Sequence, residues 1–183
     1  MNRIAIFLPV LTAALLLGCK TTKIEYSSAR PMPPDPRPAK AVPSSAKANT
    51  MALMVEGKPT DTDGNGYPDL IVANMYLFSL PHTSPMFEDG TFVFSLRYDE
   101  DPSTQKFVYI AQWEMNASDL ERGRNIYGPV HVAKLSLLEA GGDRIPAISA
   151  NLLCRFEPAD GREAVRPNGV HWVQLGRVRP AGR

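Results

Sequence analysis

The chain has 183 residues, is 44% hydrophobic and 21% charged, and carries a formal net charge of +1. That length supports one domain with a sizeable core, since single domains peak near ~100–150 residues. The near-neutral balance gives no reason to expect a nucleic-acid partner.

Arg3 precedes an apolar run over residues 4–17, interrupted only by Pro9 and Thr12. The run is shorter than the ~20 apolar residues of a transmembrane helix and reads as an export signal. It closes on Leu16-Leu17-Gly18-Cys19. This resembles the lipobox of bacterial lipoproteins. The resemblance implies that residues 1–18 are a signal peptide, that the Cys19 sulfur receives a diacylglycerol, and that the mature chain is tied to a membrane of the cell envelope. Lys20, not Asp, follows the cysteine, as in lipoproteins destined for the outer membrane of cells with two membranes.

Residues 20–50 read as a stalk. Pro31, Pro33, Pro34, Pro36, Pro38 and Pro43 stand among Ser, Ala and Lys. Such a segment has little apolar surface to offset its ordering entropy and favours polyproline II. It is expected to be dispensable for folding. It is also basic, with six cations against two acids, which leaves residues 51–183 acidic with seventeen acids against thirteen cations. A basic stalk beside an anchor suits anionic headgroups or other envelope polyanions.

From residue 51 the apolar pattern has period two. Strands are expected over residues 51–55, 70–80, 91–97, 107–115, 130–138, 148–156 and 170–178. Turn signals separate them, among them Gly141-Gly142-Asp143, Asp160-Gly161 and Asn168-Gly169. In residues 107–115, alternation puts Phe107, Tyr109, Ala111 and Trp113 on one side. Ser118 and Glu121 fit a capping box, which predicts one short helix within residues 116–123. The expectation is an all-β fold: an antiparallel β-sandwich of about seven strands with one short helix, over residues 51–183. The stretch from Glu88 to Phe94 is similar to the turn-and-strand signature of transthyretin-like and carboxypeptidase-regulatory sandwich domains, which supports the architecture and carries no activity. With Cys19 lipidated, Cys154 has no partner within the chain. It alternates with Leu152 and Phe156 and reads as a small core hydrophobe.

One constellation carries ligand chemistry. Asp61-Thr62-Asp63-Gly64-Asn65-Gly66-Tyr67-Pro68-Asp69 places oxygen ligands at positions 1, 3, 5 and 9 of a tight loop, with glycine at position 6. A Ca²⁺ ion takes six to eight oxygens, and alternate side chains of a coiled loop supply them. The Tyr67 carbonyl can add one more. The loop resembles the calcium loops of dockerins, thrombospondin type 3 repeats and integrin-type FG-GAP repeats, and Pro68-Asp69-Leu70 extends the match to the last. The resemblance implies a structural Ca²⁺ held by Asp61, Asp63, Asn65, Tyr67 and Asp69. An EF-hand would carry Glu at position 12, where this chain has Val72.

Neither a Gly-x-Ser-x-Gly nor a His-Glu-x-x-His motif occurs, and His82, His131 and His171 are dispersed. The expected function is therefore a non-catalytic, membrane-anchored envelope module whose partner is an envelope protein or a polysaccharide. A carbohydrate-binding module is the alternative, and a small envelope hydrolase a third. An exposed row of Trp and Tyr, drawn from Tyr109, Trp113, Tyr127 and Trp172, would favour the second. A cleft with converging carboxylates would favour the third.

Overall fold

The structure is a computed structural model that describes residues 41–101 and 106–177. The proposed signal, Cys19 and residues 20–40 of the stalk lie outside the described residues. Among the described residues nine strands follow one another: β1 Thr50–Val55, β2 Leu70–Phe78, β3 Pro85–Met86, β4 Gly90–Asp101, β5 Lys106–Asn116, β6 Glu121–Asn125, β7 Gly128–Ser136, β8 Ile148–Pro158 and β9 His171–Leu175. They form two antiparallel sheets, one in the order β1-β2-β7-β6 with β3 beside β2, the other in the order β5-β4-β8-β9. The chain is an antiparallel β-sandwich, as the alternating pattern requires when one face of each sheet must leave water.

The core lies between the sheets. Ile71, Ala73, Met75 and Leu77 of β2 and Ala133 and Leu135 of β7 come from one sheet. Phe92, Phe94 and Leu96 of β4 meet them from the other, with Leu152, Cys154 and Phe156 of β8. Each of these is spaced by two from the next, so one register sets all of them inward. Trp113 is buried among them, and its indole N–H donates to the Ser136 carbonyl at 3.0 Å, joining β5 to β7 across the sandwich. Gly90 is fixed by close approach. A Cβ there would lie 2.4 Å from the Glu157 carbonyl oxygen and 2.7 Å from the Phe156 ring.

Three expectations are corrected. Residues 117–120 form a turn, not a helix, and Glu121 opens strand β6. Asn116 and Ser118 spend their side chains on Asp119 at 2.9 and 3.0 Å, so the capping pair never closes. Second, β5 does not keep one face. Leu96 pairs with Ala111 but Arg97 pairs with Tyr109, so Ile110 is a bulge and the alternation slips there. Ala111 and Trp113 point inward, while Tyr109 points outward. Third, the folded unit starts before residue 51. Ala48 is fully buried in the core and Asn49 exchanges side-chain hydrogen bonds with Leu80 at 2.9 and 3.2 Å.

Glu88 explains why this early segment is held. Its carboxylate, only 8% exposed, accepts the Ala48 N–H at 2.6 Å and pairs with Arg162. Arg162 in turn donates to the Ala48 carbonyl at 2.9 Å and to Asp160 at 2.9 Å. Residues 47–49 therefore lie under a clamp that ties them to the loops before β4 and after β8.

Candidate functional site

The acidic loop connects β1 to β2 and lies at the end of the sandwich away from Leu80. Thr60 and Leu70 form a bridge at its base, where the Asp69 and Leu70 amides both donate to the Thr60 carbonyl. Above that base the loop coils through Asx turns. Asp61 accepts the Gly64 N–H at 2.8 Å and the Gly66 N–H at 2.7 Å, one on each oxygen. Gly66 has φ +87°, the left-handed region that a side chain would strain. Partial burial acts to raise the Asp61 pKa, but the amides of Gly66 and Gly64 outweigh it and hold the carboxyl below its ordinary range.

Asp61, Asp63 and Asp69 each offer a carboxylate oxygen within 4.8 Å of the others, the one such metal-type grouping among the described residues. Asp69 is almost fully buried, and Thr62 bonds it through both amide and hydroxyl, the latter at 2.7 Å. Asn65 acts as a strut. Its amide nitrogen donates to Asp63 at 2.9 Å and to Asp143 at 2.7 Å, and its oxygen accepts the Tyr67 N–H at 2.7 Å. Asp143 went unread in the sequence, where it appears only as the end of a Gly-Gly-Asp turn 78 residues away. It is buried, and its loop lies beside β7, which pairs with β2. A donor set of three converging carboxylates with a fourth one side chain away suits a hard cation.

The second candidate is the outward face of the β5-β4-β8-β9 sheet. The register sets Tyr109, Arg97, Asn151 and Trp172 in one row across all four strands. Tyr109 is 64% and Trp172 56% exposed, and Phe107 stands beside them with its ring 3.8 Å from the Arg97 guanidinium carbon. Of the other aromatics named from sequence, Trp113 is core, and Tyr127 is exposed elsewhere, edge-on to Tyr76.

Two titratable side chains, Cys154 and His131, are buried. Burial pushes the Cys154 thiol up to about 12, which keeps it protonated and unreactive. Burial, aided by the Arg122 charge and opposed by Asp89, pulls His131 down to about 4.

The arrangement defines a two-sheet β-sandwich with an acidic loop at one end and an aromatic outer face. No protein-family model and no curated protein matches the chain.

Proposed function

We propose that the chain is a non-catalytic binding module of a bacterial cell envelope, anchored through a lipid on Cys19 and held off the membrane by its proline-rich stalk. The observation that best supports a binding role is the contrast between the core and the outer sheet face. The nucleophile Cys154 and the base His131 are enclosed, while Tyr109 and Trp172 present their rings to solvent. Two acyl chains on one cysteine give stable anchoring, where one would be marginal. The test is fractionation of cells expressing the chain. The parent should be processed after Gly18 and sediment with membranes, and Cys19→Ser should be released or remain unprocessed. A Cys19→Ser protein that is processed and still sediments with membranes overturns the anchor.

The acidic loop is proposed to hold one structural Ca²⁺ through Asp61, Asp63 and Asp69, with Asn65 and the Tyr67 carbonyl completing the set. The ion would neutralise the converging carboxylates and brace the entry to β2. An ion that binds only the folded state adds stability of RT ln(1 + [L]/Kd), about 2.7 kcal/mol at a hundredfold excess over Kd. The thermal midpoint should rise in millimolar Ca²⁺ relative to chelator, and Asp63→Ala should abolish the difference. A midpoint indifferent to Ca²⁺ leaves the loop an ordinary turn.

A second reading is favoured by a specific feature. Exposed Trp and Tyr side chains in one sheet row are the mark of a carbohydrate-binding face, because flat apolar rings cover the C–H faces of sugars while their polar tips stay wet. The polysaccharide is then the envelope partner.

A further inference from the structure

We propose that the outer face of the β5-β4-β8-β9 sheet is a binding site for a glycan strand that carries carboxylates, laid along the row Tyr109–Arg97–Asn151–Trp172. The proposal rests on the carbohydrate-binding reading and adds the ligand's length and charge.

Length follows from the register. The row crosses from β5 to β9, three strand spacings or about 14 Å. Its two exposed rings stand at the ends, so the ligand they grip together is an oligosaccharide of several residues and not a single sugar. Between them lie the polar groups that such a ligand needs. The Asn151 side chain is only 8% exposed, and its carbonyl oxygen has no hydrogen-bond partner among the described residues. On the neighbouring strand the Arg97 Nε is also buried without a partner among the described residues. Both atoms are closed to solvent in this structure, and burying polar atoms unpaired is costly, so a side-chain turn that lets this acceptor and the neighbouring donor meet a sugar hydroxyl, which is both, is favoured. The Phe107 ring under its guanidinium supports Arg97.

Charge follows from the adjoining hollow. A cavity of about 270 Å³ opens between Tyr109, Ser95, Leu153, Arg155, Arg166 and Gly169, and no carboxylate lines it. Arg155 is bonded to Glu157 at 2.7 Å, but Arg166 makes no ion pair among the described residues. Guanidinium is the side chain suited to forked recognition of a carboxylate. Residues 51–183 are acidic as a whole, so a polyanion finds its attraction locally here, or in the basic stalk.

Variants separate those two sources. The full chain, solubilised in mild detergent, is run in native gels containing polygalacturonate and in parallel gels containing neutral hydroxyethylcellulose. Retardation is expected in the first and not the second. Trp172→Ala and Arg166→Gln should each weaken it about tenfold, with the thermal midpoint unchanged. Retardation that survives both variants comes from the stalk and overturns the site. Equal retardation in both gels, lost in Trp172→Ala, overturns the acidic ligand while the carbohydrate reading stands. No retardation in either gel overturns both.

Discussion

Replacing Glu88 with alanine is expected to destabilise the fold by about 3 kcal/mol, near the lower end of what breaking a buried ion pair costs. The side chain is 8% exposed and answers three groups, among them the Lys47 ammonium at 3.8 Å. It accepts the Ala48 amide at 2.6 Å and pairs with Arg162. Alanine leaves the buried amide unpaired and the guanidinium with the Ala48 carbonyl and with Asp160, whose carboxylate is exposed to solvent and worth less. Glu88→Gln keeps an acceptor for the amide and loses the charge, so a smaller loss is expected. Urea unfolding of both variants measures this, with the midpoint falling at constant slope. A chain that starts at Thr50 should lose a comparable amount, because it removes Ala48 from the core. Equal midpoints for that chain and for one starting at Lys20 would show that residues 47–49 contribute nothing to the fold.

How much of this was legible in the sequence depends on range. The alternation Phe92-x-Phe94-x-Leu96 and Leu152-x-Cys154-x-Phe156 declares its inward face locally, and β4 and β8 pair in that register. The acidic loop was equally legible, since its oxygen donors lie within nine residues. What was not legible depended on partners far along the chain. The bulge at Ile110 shows only in the pairing of β5 with β4, and nothing within residues 107–115 announces it. Yet that one residue decides whether Tyr109 joins the core or the outer face. Asp143 reaches the loop only because β7 lies beside β2. Ala48 is core only because Glu88 and Arg162 hold it there. The proline-rich composition of residues 20–50 gives no sign that Ala48 and Asn49 will be held by the fold.

The fold also carries a built-in sensitivity to acid. His131 sits in β7 facing the core, with the Phe87 and Phe92 rings 5.0 and 5.1 Å away, and its Nε2 has no hydrogen-bond partner among the described residues. Burial is the largest cause of its lowered pKa. The Arg122 charge adds to it, and Asp89, which is bonded to Arg122, works against both. The folded state therefore holds His131 neutral until about pH 4, while the unfolded chain takes up the proton near 6.5. Protons thus favour the unfolded chain. Stability from this group is fully present above pH 6.5 and is lost as pH falls through 6.5 toward 4. The gap corresponds to roughly 3 kcal/mol. His131→Leu removes the titration and also the unpaired nitrogen, so it should cost little at pH 7.5. Denaturant unfolding at steps between pH 7.5 and 4 should show the parent losing about 3 kcal/mol more than the variant. Carboxylates held low by their neighbours, such as Asp160 beside Arg162, contribute to both proteins alike and cancel in the difference. Parallel curves for parent and variant would mean that the imidazole finds water or a partner in the folded state and that the aromatic enclosure does not hold it neutral.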